Sequence, residues 1–108
     1  MKEILNFFLK IRLEATICIF NLVSRCSASE TQMLVLAGII EILLLNLQED
    51  HVKLVRASLD PLYNILAFGD KMKETYDGIN PYAHRVAEFG GVNILENLQA
   101  TKTGQQDF

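Results

Sequence analysis

Tryptophan is absent from the 108-residue chain, and cysteine occurs only twice. Cys18 and Cys26 are too few for a disulfide scaffold, so reduced, intracellular thiols are expected. A basic excess is also lacking: the net charge is −3, which argues against nucleic acid as the main partner. The six Phe and three Tyr are spread out, with no basic patch to interleave them. A metal needs about four converging ligands, and only His51 and His84 are left to help the two thiols. His51 falls in a turn and His84 on a short helix, neither with an acid or nucleophile placed beside it. No glycine-rich phosphate loop exists either, because Gly90-Gly91 follows a helix and not a strand. The expectation is a protein that is not an enzyme and takes no cofactor.

The most apolar run, Thr31 to Gln48, is interrupted by Gly38 and Glu41. A membrane span needs about 20 apolar residues, and a carboxylate at mid-span costs about 2.5–3.5 kcal/mol. No membrane helix is therefore expected there, and a small membrane-associated protein is the weakest of the alternatives. The N-terminus, MKEILNFFLK, carries Glu3 and is followed by no small-residue cleavage site, so it does not read as a signal peptide.

What is present is helical pattern. Half of the residues are apolar and 21% are charged, which excludes disorder. In Lys53 to Phe68, KLVRASLDPLYNILAF, the residues Val55, Leu59, Leu62 and Leu66 make a stripe at helical spacing. Lys53, Ala57, Asp60 and Asn64 make a second. In Ile11 to Val23 the buried stripe reads Ile11, Ala15, Cys18 and Leu22. Lys10, Glu14, Ile17 and Asn21 make the other. Asn21 and Asn64 hold the same place in the two patterns, 43 residues apart. A period of about 40–47 residues belongs to two- or three-helix solenoid repeats.

Taken in order, Lys2 to Phe8 reads as a helix end and Ile11 to Cys26 as the first long helix. Ser29 is the expected cap of a short helix, Glu30 to Ala37, with Gln32 completing a weak capping box. Gly38 ends that helix. Ile39 to Leu47 is apolar nearly all round and should be central. Asp50 is the expected cap of the Lys53–Phe68 helix. That helix should kink at Pro61 without breaking, and close at Gly69. Asp70 to Pro81 reads as a long loop, Tyr82 to Phe89 and Val92 to Gln99 as short helices, and Ala100 to Phe108 as a polar, frayed end. LVLAGIIEIL at Leu34–Leu43 lines up with VAEFGGVNIL at Val86–Leu95 at an offset of 52, so the copies are separated by an insertion in the Asp70–Pro81 loop. The fold class expected is all-α: an armadillo-repeat, right-handed helical solenoid of about two and a half repeats. Residues 1–26 end one repeat, 27–69 make a full repeat, and 70–108 hold the insertion and a truncated last repeat.

Asn80 to Gln99, NPYAHRVAEFGGVNILENLQ, closely resembles the C-terminal segment of the importin-alpha (karyopherin) family, and the GINPY at the end of the inserted loop fits as well. Ile11 to Ser24 resembles the family's third-helix motif, a Glu-Ala pair followed by Trp and then Asn. The likeness runs over nearly the whole chain. It implies a nuclear import adapter fragment, shared between cytoplasm and nucleus. The family's third helices line a concave groove that binds basic nuclear localisation signals in extended form. Its Asn side chains hold the signal's main chain, its Trp rings take Lys and Arg stems, and nearby carboxylates attract their charges.

Carried over position by position, Glu14 falls at the acidic site and Asn21 at the asparagine site. Ile17 stands where the family has Trp, which implies a weakened minor pocket. In the next repeat Asp60 holds the Trp position and Asn64 the asparagine position. The resemblance also implies a contact with the nuclear export receptor and Ran-GTP, through Tyr82 to Gln99. The repeats of the major signal site, the arm for importin-beta and the closing helix have no counterpart in these residues, so a C-terminal piece of an adapter is expected. An armadillo scaffold with partners unrelated to nuclear transport is the other expectation. Ile4, Leu5, Phe7 and Phe8, with no upstream repeat to cover them, are expected to drive self-association.

Overall fold

The computed structural model describes residues 1–106, with side chains described through Ala100. Among these residues the chain is all helical, with no strand. Six helices follow in order: α1 (Lys2–Arg25), α2 (Ala28–Leu36), α3 (Ile39–Asn46), α4 (Val52–Lys71), α5 (Pro81–Glu88) and α6 (Gly91–Gln106).

The N-terminal segment is one helix where the sequence suggested two. Nothing between Phe8 and Ile11 breaks a helix, since Leu9 and Lys10 are both good helix formers, and α1 runs through them for 24 residues. The buried side of α1 is also not the one expected. Thr16 and Val23 are buried, with Arg12 and Ile19 partly so. Ile11, Ala15, Cys18 and Leu22 are all exposed. The apolar stripe is there at helical spacing, but among the described residues no element lies over it.

Between α1 and α2 the chain turns at Cys26 and Ser27. Ser27 caps α2, not Ser29: its Oγ accepts from Glu30 N, and the Glu30 carboxylate accepts from Ser27 N at 3.0 Å. Both serines have an acid or amide three residues on. The charged carboxylate of Glu30 makes the stronger reciprocal bond, which decides between them. Those bonds lower the Glu30 pKa from its ordinary value, the backbone N–H of Ser27 foremost.

Gly38 ends α2 as expected, with φ +104°, a region open to glycine and costly for other residues. The Thr31–Gln48 run thereby divides into α2 and α3, bent by 68° from each other. No single described helix is long and apolar enough to cross a membrane. Ile40, Leu43 and Leu44 of α3 lie in the core with Leu62 and Ile65 of α4, while Ile42 and Leu45 are exposed.

His51, not Asp50, caps α4: its Nδ1 accepts from Leu54 N at 3.1 Å. Helix α4 continues unbroken through Pro61, whose ring is buried. It also continues past Gly69 to Lys71. Gly69 is buried inside the helix, where the Asn80 and Tyr82 side chains fill the space a Cβ would need. The connection to α5 is thus shorter than the expected loop. It closes with Asp77 and Gly78 at positive φ. Asn80 caps α5, accepting from Tyr82 N and Ala83 N through Oδ1 and donating from Nδ2 to Leu66 O at 2.9 Å. One side chain therefore starts α5 and ties it to α4. Helix α6 runs beyond Gln99 to Gln106, through most of the stretch expected to fray. Asp107 and Phe108 lie outside the described residues.

The two long helices lie side by side and run in the same direction. Arg12 of α1 meets Glu49, just before α4, and further along Ser24 meets Asn64.

Candidate functional site

The expected site residues fall on one side of the α1–α4 pair. Glu14, Ile17 and Asn21 recur at three and four residues, so they share a face of α1, and all three are exposed. Ile17 is 42% exposed. This face points away from the side that carries Arg12, Thr16 and Val23 into the protein. On α4, Asp60 is exposed and Asn64 half-buried, one turn apart. Asn64 Nδ2 reaches Ser24 Oγ at 3.5 Å, the long limit of a hydrogen bond. Ser24 is one turn beyond Asn21, so the two asparagines stand on neighbouring helices within about a turn of each other.

No hydrogen bond or ion pair joins Glu14, Asn21 or Asp60 to the side chains of the other described residues. Their polar atoms face solvent. The same face carries Lys10 and Lys53, both exposed, one on each helix. The face thus carries two cations as well as two carboxylates, and its net charge is balanced.

A buried polar cluster, missed in the sequence, ties α1 to the end of α3 and to the turn that leads into α4. Arg12 donates to Glu49 Oε1 at 2.8 Å and to Asn46 Oδ1 at 2.7 Å. Asn46 Nδ2 donates to Thr16 Oγ1 at 3.0 Å, and Thr16 Oγ1 donates to Arg12 O at 2.7 Å. Both Asn46 and Thr16 are 2% exposed. Every member has a partner, which is the condition under which a buried network holds a unique arrangement. The visible signal was a lone Thr and a lone Asn at core spacing inside apolar helices. A second pair, Arg85 with Glu41 at 3.2 Å, holds α5 to α3.

Two histidine expectations are refined. His51 is a helix cap. His84, expected without an acid, sits 3.0 Å from Glu88 one turn on, both largely exposed. Among the described residues no group of three His, Cys, Asp or Glu could hold a metal ion.

A separate groove of about 610 Å³ opens between the start of α4 and α6, lined by Leu47 to Val52, Val55, Arg56, Leu59, Ile94, Asn97 and Leu98. None of the expected site residues lines it. No family model, no curated protein and no solved structure matches the chain.

Proposed function

We propose that the chain is an importin-alpha-like armadillo-repeat fragment that binds basic signal peptides weakly along the shared face of α1 and α4. The observation that carries this reading is the pairing of Asn21 and Asn64. Two equivalent asparagines, 43 residues apart in sequence, stand on parallel neighbouring helices with Ser24 touching Asn64 between them. An amide can donate to and accept from an extended main chain. Neighbouring helices pack roughly 8–10 Å apart, and an extended peptide rises about 3.3 Å per residue. Two or three peptide residues therefore reach from one asparagine to the next, with Glu14 and Asp60 placed to meet their cations.

The affinity is low. Each hydrogen bond adds about 0.5–1.5 kcal/mol and each exposed ion pair about 0–1 kcal/mol. Ile17 supports an aliphatic stem but has no π face. A Kd of about 0.1–1 mM follows for a basic signal, weakening with salt. A chemical-shift titration with a lysine-rich signal peptide tests this. Shifts should map to Glu14, Asn21 and Asn64, Asn21→Ala should weaken binding, and Ile17→Trp should strengthen it by about 0.5–2 kcal/mol. Shifts elsewhere, or no gain from Ile17→Trp, overturn it. The contact of Tyr82 to Gln99 with an export receptor and Ran-GTP belongs to the same reading, as does a place in both cytoplasm and nucleus.

One observation favours a second reading, an armadillo scaffold for other proteins. Lys10 and Lys53 share the face with Glu14 and Asp60, so it does not select cations by charge. Titration of an acidic or neutral extended peptide onto the same residues, at equal or better affinity, would favour the scaffold. Neither reading involves catalysis, a cofactor, nucleic acid or a membrane.

A further inference from the structure

The two long helices are counterparts at an offset of 43 residues. Across that offset Leu54, Ser58, Pro61 and Ile65 of α4 correspond to Ile11, Ala15, Cys18 and Leu22 of α1. The α4 set is buried and the α1 set is exposed. The opposite comparison holds on the other side. Helix α1 packs on the body through Arg12, Thr16 and Val23. The counterparts of Arg12 and Thr16 in α4 are Val55 and Leu59, and these open onto the groove beside α6. The molecule thus exposes both halves of the interface it uses internally. Among the described residues, α1 has no neighbour over its apolar stripe, and no long helix occupies the groove beside α4.

We propose that the groove between α4 and α6 receives α1 of a second copy of this chain, so that copies stack head to tail. The occupant is specified by the α1–α4 contact itself. The groove stands to α4 as the seat of α4 stands to α1. The apolar stripe of α1 continues at helical spacing through Phe8 and Ile4, both more than half exposed. The internal pairs Arg12–Glu49 and Ser24–Asn64 give the register. The same register in the second interface sets Phe8 near Val55 and Ile11 near Leu59. Ile94 and Leu98 of α6 close over them as α3 closes over α4. Such a contact joins two different surfaces, so it does not end at a dimer unless the rotation closes a ring. It stands whether or not the α1–α4 face binds a basic peptide.

Sedimentation velocity on the full 108-residue chain tests the proposal. The mass should rise with concentration past two chains, with no plateau at a dimer. A groove variant, Val52→Lys with Leu59→Lys, and a stripe variant, Phe8→Glu with Ile11→Glu, should each weaken association about tenfold or more. Both should keep the helical circular dichroism signal. Mixed together, the two variants should form a discrete one-to-one pair, because each keeps the half that the other has lost. Should the double groove variant unfold, Val52→Lys alone serves, since that side chain is 63% exposed. A wild-type chain that stays monomeric overturns the proposal. So does a symmetric dimer that survives the groove substitutions, or a mixture of variants that stays unpaired.

Discussion

Helices α1 and α4 share a length class, a stripe pattern and a direction, yet their matching stripes end up in opposite environments. Ile65 of α4 is fully buried, while Leu22, its counterpart in α1, is half exposed. Spacing determines that a helix has an apolar face; it does not determine that anything will lie on that face. Burial belongs to the neighbour as much as to the residue.

The contrast is sharpest in stability. Ile65→Ala should cost about 2–5 kcal/mol, the range for emptying a filled core site. Leu22→Ala should change stability by no more than about 0.5 kcal/mol. Urea denaturation at a concentration where the chain is monomeric measures both. Equal effects would mean that the α1 stripe is covered in solution even in the monomer.

Next in size is the polar cluster that joins α1 to the end of α3. Thr16→Val removes the acceptor of the buried Asn46 amide and should cost about 1–3 kcal/mol. Leu59→Ala, at the counterpart position on the groove side of α4, should cost less, because that side chain already meets solvent. A reversal would show that the groove is filled and the cluster is dispensable.

Smaller again is Gly69→Ala. Alanine is the better helix former by about 1 kcal/mol. At Gly69, however, the new methyl meets the Asn80 side chain that caps α5. Overpacking costs about 1–3 kcal/mol, so the net effect should be a loss of about 0–2 kcal/mol once the gain of about 1 kcal/mol in propensity is set against it, together with weaker protection of the first amides of α5 in hydrogen exchange. Cys26→Ala, at the counterpart position beyond the end of α1, should be nearly silent.

The smallest effect separates the helix starts. Helix α2 begins on a closed capping box, whereas α1 begins at Met1 with no side-chain cap. Ser27→Ala should cost about 1 kcal/mol. The Glu30 pKa lies below its ordinary value of 4.5. A carboxylate with a depressed folded pKa stabilises above its unfolded pKa and loses that contribution as pH falls through the folded one. The box should therefore weaken as pH drops below about 4.5, and Glu30→Gln should remove that part of the acid dependence in a urea-midpoint-against-pH series.

The glycine turns were legible in the sequence because Gly38 and Gly90 occupy the positive-φ positions that follow a helix. The body of α4 was legible through Pro61, since the apolar spacing continues on both sides of it. The caps were less so. Two serines competed for α2, and a histidine was chosen over the Asp50 that cap statistics favour. The end of α4 was misread because Gly69 looks like a stop, while its real role is to let Asn80 approach. The positions of Glu14, Ile17, Asn21, Asp60 and Asn64 on outward faces followed from periodicity. The contact of Asn64 with Ser24, and the lysines that share their face, needed the relative placement of two helices. One helical pattern does not contain that.

The common direction of α1 and α4 has an electrostatic consequence. Aligned peptide dipoles give each helix about half a positive charge at its start and half a negative charge at its end. Antiparallel neighbours cancel these fields, but parallel ones set like poles on the same side of the protein. Each long helix carries a cation in its last turn, Arg25 on α1 and Lys71 on α4. These two side chains neutralise the carbonyl ends that would otherwise repel each other.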